Sequence, residues 1–169
     1  KKLSKFTGSK FCITVSSGTD ALLVAMMALG IGNDDEIIAT PFTWISASEM
    51  ASLLGAKSVF VDIDPETYNI DAKKIEEKIT KKTKAILVPN LIGNVPNWKK
   101  IKKIANKYNL KVLEDSADTL GAKIKNKPTG IYSDISITSF YGSHVISCAG
   151  NGGIFLTNNK NYYTRAKVL

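Results

Sequence analysis

His144 is the only histidine among the 169 residues of the sequence. An imidazole, whose ordinary pKa is about 6.5, can accept and donate protons near neutral pH and therefore suits general acid–base chemistry. His144 follows a predicted strand, residues 135–140, and precedes Gly150-Asn151-Gly152-Gly153, a run in which the backbone can lie close to a ligand. A lone histidine is more often a packed or surface residue than a catalyst, so both interpretations stand on this residue alone.

The segment Ser16-Ser17-Gly18-Thr19-Asp20 has the residue types of an anion-binding helix start. It lies between a predicted strand, 11–15, and a predicted helix, 20–29, that is apolar nearly all round and should be buried. Amides at a helix N-terminus bind anions, and a glycine lets the backbone approach a phosphate closely. Serine and threonine also cap helices in general, so a purely structural role is the alternative.

Glu114-Asp115 closes a predicted apolar strand, 111–113. In an open parallel sheet, ligands bind beyond the carboxyl ends of the strands, and a carboxylate placed there needs a cationic partner. A protonated pyridine nitrogen would be such a partner. The alternative is an aspartate that caps the following turn.

Trp44 follows Pro41-Phe42-Thr43 and stands at the start of a predicted helix, 44–54. Its indole could stack on a planar cofactor, whereas the alternative is a tryptophan packed in the core.

These residues must be positioned by a chain that alternates short β-branched runs with longer helical ones, which predicts βα units and a mostly parallel sheet. The fold class is therefore α/β, and no linker or internal repeat divides the chain. The remaining predicted strands are 36–39, 58–61, 84–88 and 153–156, and the remaining predicted helices are 72–79, capped by Asp71, and 98–108.

Composition excludes several classes of function. The net charge is +8, but the lysines scatter over predicted helix faces without interleaved aromatic residues, so nucleic acid is not an expected partner. No apolar run approaches the ~18 residues that span a membrane, and no signal peptide is found. Cys12 and Cys148, without a CxxC pair or a second histidine, exclude an ordinary zinc site and fit a reducing cytoplasm, so no metal is expected.

Taken in order, the segments of residues 6–156 resemble the large-domain core of the DegT/DnrJ/EryC1/StrS family of pyridoxal-phosphate (PLP) sugar enzymes. The matching segments are Ser16-Ser17-Gly18-Thr19-Asp20-Ala21-Leu22, Ala28-Leu29-Gly30-Ile31-Gly32, Thr40-Pro41-Phe42-Thr43-Trp44, Gly55-Ala56-Lys57, Val59-Phe60-Val61-Asp62-Ile63-Asp64, Thr83-Lys84-Ala85-Ile86, Glu114-Asp115 and Ser139-Phe140-Tyr141. The resemblance implies a three-layer αβα sandwich, the large domain of the fold type I PLP-dependent transferases.

The same resemblance implies a cofactor, pyridoxal 5'-phosphate or pyridoxamine 5'-phosphate (PMP), and residues that bind it. Gly18 and Thr19 would bind the cofactor phosphate with the help of Ser139. Trp44 would stack on the ring, and Asp115 would pair with the pyridine nitrogen. Asp118 would also bind the cofactor, since it stands where the family usually has a glutamine near the ring hydroxyl.

The chain departs from the family pattern at the residue that usually holds the cofactor. Where the family has proline, a small residue and the Schiff-base lysine, this chain has Gly142, Ser143 and His144. Asp118-Thr119-Leu120-Gly121 together with His144 resembles the branch that deoxygenates sugars, the nucleotide-linked 4-keto-6-deoxyhexose 3-dehydratases of colitose-type pathways. Ser116-Ala117 stands where one subgroup has a cysteine ligand of an iron–sulfur cluster, which favours the cluster-free, glutamate-dependent type.

These features predict a lyase that removes the 3-hydroxyl of a nucleotide-linked 4-keto-6-deoxyhexose in deoxysugar and lipopolysaccharide O-antigen biosynthesis, with His144 as the catalytic residue and L-glutamate regenerating PMP. The alternatives are a 4-aminotransferase (transaminase) and an inactive PLP-fold module. The chain begins without methionine and stops within a pattern at Leu169, so it is expected to be a piece of a longer protein. The resemblance implies that residues 1–169 are an incomplete PLP-binding large domain without the C-terminal small domain of the family. The full-length protein is expected to be a cytoplasmic homodimer with no membrane partner.

Overall fold

The computed structural model describes residues 2–169. The helices of this range are α1 (Lys2–Thr7), α2 (Gly18–Leu29), α3 (Ser46–Leu53), α4 (Trp98–Lys107) and α5 (Lys160–Ala166). Its strands are β1 (Phe11–Val15), β2 (Glu36–Ala39), β3 (Lys57–Phe60), β4 (Thr83–Pro89), β5 (Lys111–Asp115), β6 (Lys123–Ile124), β7 (Lys127–Pro128), β8 (Ile135–Ser139) and β9 (Gly153–Thr157). Short 3-10 turns lie at Glu76–Lys78, Leu91–Gly93 and Thr129–Ile131.

The strands form a mixed sheet that is mostly parallel, as predicted. The main sheet has the order β1-β9-β8-β5-β4-β2-β3, and β6 pairs with β7 in a separate hairpin. The pairings from β3 through β2, β4 and β5 to β8 are parallel, whereas β9 is antiparallel to both β8 and β1. The strands β1, β8 and β5 therefore run in the same direction, and their carboxyl ends meet at one edge of the sheet.

The sheet lies between two layers of helix, because alternate side chains of a strand face opposite sides. In β4, Ala85 and Leu87 belong to a core cluster with α2 and α3, while Ile86 and Val88 belong to a cluster with α4. Burying each large aliphatic side chain contributes about 1.5–3 kcal/mol. The expected three-layer αβα sandwich is confirmed.

Helix α2 lies in the first of these layers and starts at the edge where the parallel strands end. It begins at Gly18, two residues before the predicted start, because Ser17 is its N-cap. The helix ends at Leu29 and is capped by Gly30, which has φ 81°, the left-handed conformation that glycine adopts without strain. Its buried residues confirm the prediction of a buried helix.

The predicted helix at residues 72–79 is wrong. This segment forms turns followed by the 3-10 turn Glu76–Lys78. Eight residues can form only about two helical turns, so whether they form a helix depends on the tertiary contacts of the segment rather than on its own propensity. The fully buried Ile75 anchors the segment, and the Asp71 carboxylate accepts a hydrogen bond from the amide of Lys73 (2.8 Å) in a turn rather than capping a helix.

Trp44 precedes α3, which begins at Ser46 rather than at residue 44 as predicted. Helices α1 and α5 and the β6–β7 hairpin were not predicted from the sequence. Within residues 2–169, every helix is too short or too polar to cross a bilayer.

Candidate functional site

A cavity of about 530 Å³ lies at the edge where the parallel strands end. Every residue that the sequence analysis assigned to a site lines this cavity: Gly18, Thr19, Trp44, Asp115, Asp118, Ser139 and His144. They come from four separate parts of the chain, residues 18–19, 44, 115–118 and 139–144, and the topology brings them together because ligand sites of parallel sheets form beyond the carboxyl ends of the strands.

The register of β9 with its two neighbours places the start of α2 beside the end of β8. Gly153, the first residue of β9, pairs with Val15 on one side and with Ser139 on the other. A Cβ atom at Gly153 would overlap the carbonyl of Ser17, and one at Gly18 would lie 2.5 Å from the Cβ of Ser139. Both positions therefore require glycine, and the backbone of the helix start is held directly against Ser139.

The N-terminus of α2 has the chemistry of an anion site. Ser17 Oγ accepts a hydrogen bond from the Asp20 amide (3.0 Å) and donates one to Asp20 Oδ2 (2.7 Å), and Ser16 Oγ donates to the same oxygen (2.6 Å). These two hydroxyls, Ser16 first, lower the pKa of Asp20. The serine hydroxyls are thus engaged, while Gly18 and Thr19 supply first-turn amides that have no carbonyl partner inside the helix and can bind an anion.

Ser139 lies across from these amides. Its Oγ accepts a hydrogen bond from the amide of Tyr141 (3.2 Å), so its own proton can be donated to a ligand.

Asp115 is a buried carboxyl group on the floor of the cavity. Its Oδ1 accepts a hydrogen bond from the amide of Ala117 (3.0 Å). Burial raises the pKa of Asp115 to about 6, against the lowering effect of that amide. None of the ion pairs formed among residues 2–169 involves Asp115. A cation in the cavity would therefore stabilise the charged form of this buried carboxyl group.

Glu114, although adjacent to Asp115, has a different environment, because successive strand residues face opposite sides. It is fully buried and accepts hydrogen bonds from Asn90 Nδ2 (2.7 Å), Ser116 Oγ (2.9 Å) and Ser133 Oγ (3.2 Å). Its oxygens are satisfied on the far side of the sheet, so of the two acids only Asp115 lines the cavity.

Trp44 is not a core residue: 74% of it is exposed, and it lies in the cavity wall. The alternative of a packed core tryptophan is therefore wrong for Trp44. That description fits Trp98, which is 1% exposed. A large indole that is exposed next to a cavity can stack on a planar ligand.

His144 and Asp118 approach each other at the cavity. Nδ1 of His144 lies 3.3 Å from Oδ1 of Asp118, and their side chains are 23% and 41% exposed. The other carboxylate oxygen, Oδ2, accepts a hydrogen bond from the amide of Ile92 (3.4 Å). Within residues 2–169, no lysine lines the cavity.

The cavity is also lined by four polar residues for which the sequence predicted no role: Ser46, Tyr141, Ser143 and Asn151. Tyr141 and Ser143 stand in the same segment as His144, and Asn151 stands in the glycine-rich run after it. Closeness in sequence to His144 was the signal that could have identified Tyr141, Ser143 and Asn151, and closeness to Trp44 was the signal for Ser46.

Together these features fit a planar, phosphate-bearing aromatic group with a basic ring nitrogen. The helix start with Ser139 suits the phosphate, the exposed indole of Trp44 suits the ring, and the buried carboxyl of Asp115 suits a protonated nitrogen. The cavity volume lies in the usual range for small-molecule sites.

Comparisons with known proteins agree with this chemistry. The profile of the DegT/DnrJ/EryC1/StrS aminotransferase family matches residues 1–169. A Pseudomonas aeruginosa relative, UDP-2-acetamido-2-deoxy-3-oxo-D-glucuronate aminotransferase, is 44% identical over 168 residues, which cover 99% of this chain and 47% of the relative.

Two solved structures have the same fold. NtdA of Bacillus subtilis, with bound cofactor PMP, is 34% identical with a TM-score of 0.92 over 97% of this chain and 37% of its own. GDP-4-keto-6-deoxymannose-3-dehydratase (ColD), as a histidine-to-asparagine mutant with bound GDP-perosamine, is 34% identical with a TM-score of 0.89 over 96% of this chain and 43% of its own. This chain spans less than half the length of each of these three proteins. It belongs to the DegT/DnrJ/EryC1/StrS aminotransferase family, whose members depend on PLP or PMP.

Proposed function

We propose that the protein carrying this chain removes the 3-hydroxyl group of a nucleotide-linked 4-keto-6-deoxyhexose, with PMP as cofactor and L-glutamate as amino donor. The observation that carries this proposal is the cavity wall, which within residues 2–169 contains His144 and no lysine. Such a wall offers no amine for covalent attachment of the cofactor, whereas an imidazole can still transfer protons.

The residues of the cavity are proposed to hold the cofactor in the following way. The amides of Gly18 and Thr19 and the hydroxyl of Ser139 bind its phosphate, and Trp44 stacks on its ring. Asp115 pairs with the ring nitrogen. Each group favours the charged form of the other, so the carboxylate keeps the nitrogen protonated and the resulting cation keeps the buried carboxyl group ionised.

His144 is proposed to move the protons of the reaction. Bound here, PMP would supply an amine for the 4-keto group and a ring that withdraws electron density from the sugar. His144 first takes a proton from the methylene carbon of the cofactor as a general base. It then donates a proton, as imidazolium, to the departing 3-hydroxyl, which leaves as water.

The net reaction needs a reductant, which the proposal assigns to L-glutamate. For each 3-hydroxyl removed, one glutamate is oxidised to 2-oxoglutarate and its amino group is released as ammonia. We further propose that residues 1–169 form the PLP-binding large domain of a cytoplasmic homodimer that supplies a 3-deoxysugar for O-antigen polysaccharide.

A second candidate is transfer of an amine to the 4-keto carbon, and one observation favours it. The relative that is 44% identical is named as an aminotransferase. An aminotransferase that follows the family pattern needs a lysine at the position of His144, so this candidate requires an amine that the described wall does not contain.

The test separates the two candidates by product mass. The full-length protein is incubated with PLP, L-glutamate and a panel of nucleotide-linked 4-keto-6-deoxyhexoses. Mass spectrometry should detect a product that has lost one oxygen, together with equimolar 2-oxoglutarate. A product that has gained an amine and kept its 3-hydroxyl would overturn the proposal.

A pair of variants at residue 144 adds a second readout. His144→Gln should abolish oxygen loss, since it removes the proton carrier, and should leave the cofactor extractable after borohydride treatment. His144→Lys restores the amine and should retain the cofactor covalently after the same treatment. Covalent retention by the unmodified protein would contradict the proposal.

A further inference from the structure

We propose that Asp118 is a positioning residue for His144 rather than a ligand of the cofactor, and that it fixes which ring nitrogen carries the proton. The inference rests on the proposed function only in naming His144 as the base. It changes the assignment of Asp118, which the family pattern places near the ring hydroxyl.

The side chains of Asp118 and His144 are in contact. Oδ1 of Asp118 lies 3.3 Å from Nδ1 of His144. A carboxylate can only accept, so a neutral imidazole in this contact carries its proton on Nδ1. Nε2 then holds the free electron pair and is the nitrogen that can act as a base.

The carboxylate of Asp118 is also held through its second oxygen, which does not contact His144. Oδ2 of Asp118 accepts a hydrogen bond from the amide of Ile92 (3.4 Å). Both oxygens of Asp118 are therefore directed at protein groups.

The backbone that supplies this amide has an unusual conformation. Ile92 has φ 54° and ψ 35°, the left-handed region, which is rare for a β-branched residue. Strained residues of this kind persist only where their surroundings hold them. Here the Leu91 amide donates to Asn69 Oδ1 (3.1 Å), and the Asn94 amide donates to the Leu91 carbonyl (2.9 Å), which fixes the turn on both sides of Ile92.

Together these contacts form one chain from the Ile92 amide through Asp118 to His144. The arrangement has the same logic as other catalytic histidines, in which an acidic side chain on one ring nitrogen orients the imidazole and sets its tautomer. In this arrangement Asp118 acts through His144, so its role is to position the base.

Nitrogen-15 NMR of the imidazole tests this without substrate. The signal of His144 in the full-length protein is identified by its loss in His144→Gln. At a pH where the ring is neutral, the wild-type spectrum should show the proton on Nδ1. Asp118→Ala, at a residue exposed enough to tolerate the change, should shift the population towards the Nε2–H form that histidine prefers in water.

Asp34→Ala is the matched control, because it deletes the same group from a side chain that is 91% exposed and contacts Lys82 rather than the cavity. It should leave the spectrum unchanged. A wild-type ring protonated on Nε2, or a tautomer that is the same in wild type and Asp118→Ala, would overturn the proposal.

Kinetics separate this proposal from the proposed function. In the deoxygenation assay, Asp118→Ala should lower kcat at least tenfold, an order-of-magnitude expectation for a disturbed general base, with little change in KM for the sugar. An intact tautomer preference without oxygen loss would refute the function and leave the positioning role standing. Oxygen loss that is unaffected in Asp118→Ala would refute the positioning role and leave the proposed function standing.

Discussion

Asp115 shows how a residue can be unfavourable for the fold and useful for the site. Its carboxyl group is buried, receives one amide hydrogen bond and has its pKa raised to about 6. Glu114, one residue earlier, is also buried but has three side-chain donors. The sequence pair alone could not distinguish the two acids, because their difference depends on which face of β5 each occupies.

We expect the Asp115 carboxyl group to make the stability of the cofactor-free protein depend on pH. Its folded pKa of about 6 exceeds the unfolded value of about 3.9, so the folded state holds the proton more tightly. Stability therefore falls as the pH rises from about 4 to about 6, by roughly 2–3 kcal/mol, and stays low above that range.

The variant Asp115→Asn removes this dependence. It should be more stable than wild type at pH 7.5 by roughly 2–3 kcal/mol and should lose that advantage near pH 4, measured by urea denaturation at both values. Its affinity for PLP should fall, since it can no longer form an ion pair with the ring nitrogen. Asp34→Asn is the control, and a stability difference for Asp115→Asn that is independent of pH would contradict the argument.

At the scale of elements, the site depends on three strands and one helix that meet at Gly153. Strand β9 runs antiparallel between β1 and β8, and its first residue pairs with the last residue of each. This register places the start of α2 against Ser139. The pattern of apolar residues predicted each of these strands and the helix but not their pairing order, since pairing is set by contacts between residues far apart in the chain.

We expect Gly18→Ala to damage the anion site while leaving the sheet intact. The added methyl group would meet the Cβ and Oγ of Ser139 at 2.5 and 2.8 Å, so the helix start or Ser139 must move. Such overpacking costs about 1–3 kcal/mol, and affinity for PLP should fall about tenfold or more in a fluorescence titration. Gly32→Ala, where nothing lies within 4 Å of the new methyl group, should bind PLP normally. Equal affinities in the two variants would contradict the argument.

At the scale of the whole molecule, the sequence predicts the layers of the fold well, but it predicts the structure of short segments and the contacts between loops poorly. The apolar spacing of residues 98–108 predicts one buried helix face, and Trp98, Ile101, Ile104 and Ala105 are buried, because amphipathic periodicity reports directly on burial. Tyr108, which shares this spacing, follows the end of α4 and is 38% exposed. The segment 72–79 has similar spacing but forms turns, since tertiary contacts decide the structure of short segments. The cavity residues were predictable because they follow predicted elements, whereas the Asp118–His144 contact needed the folded positions of two loops.

The layer that contains α4 also supports the edge of the sheet that carries the site. Trp98 Nε1 donates to Asn90 Oδ1 (2.9 Å), and Asn90 Nδ2 donates to the Glu114 carboxylate behind Asp115. This network joins α4 to the ends of β4 and β5 and contains only buried groups. Loss of one donor would leave a buried acceptor without a partner.

The two tryptophans of the chain therefore provide a comparison across the whole fold. Trp98→Phe keeps most of the buried aromatic surface but removes the donor to Asn90, and we expect it to lower the free energy of unfolding by about 1–3 kcal/mol. Trp44→Phe, at a residue that is 74% exposed, should change stability by less than about 0.5 kcal/mol and instead weaken binding of PLP. Urea denaturation followed by circular dichroism measures the first effect, and a PLP titration measures the second. If Trp44→Phe proved as destabilising as Trp98→Phe, Trp44 would belong to the core rather than to the site.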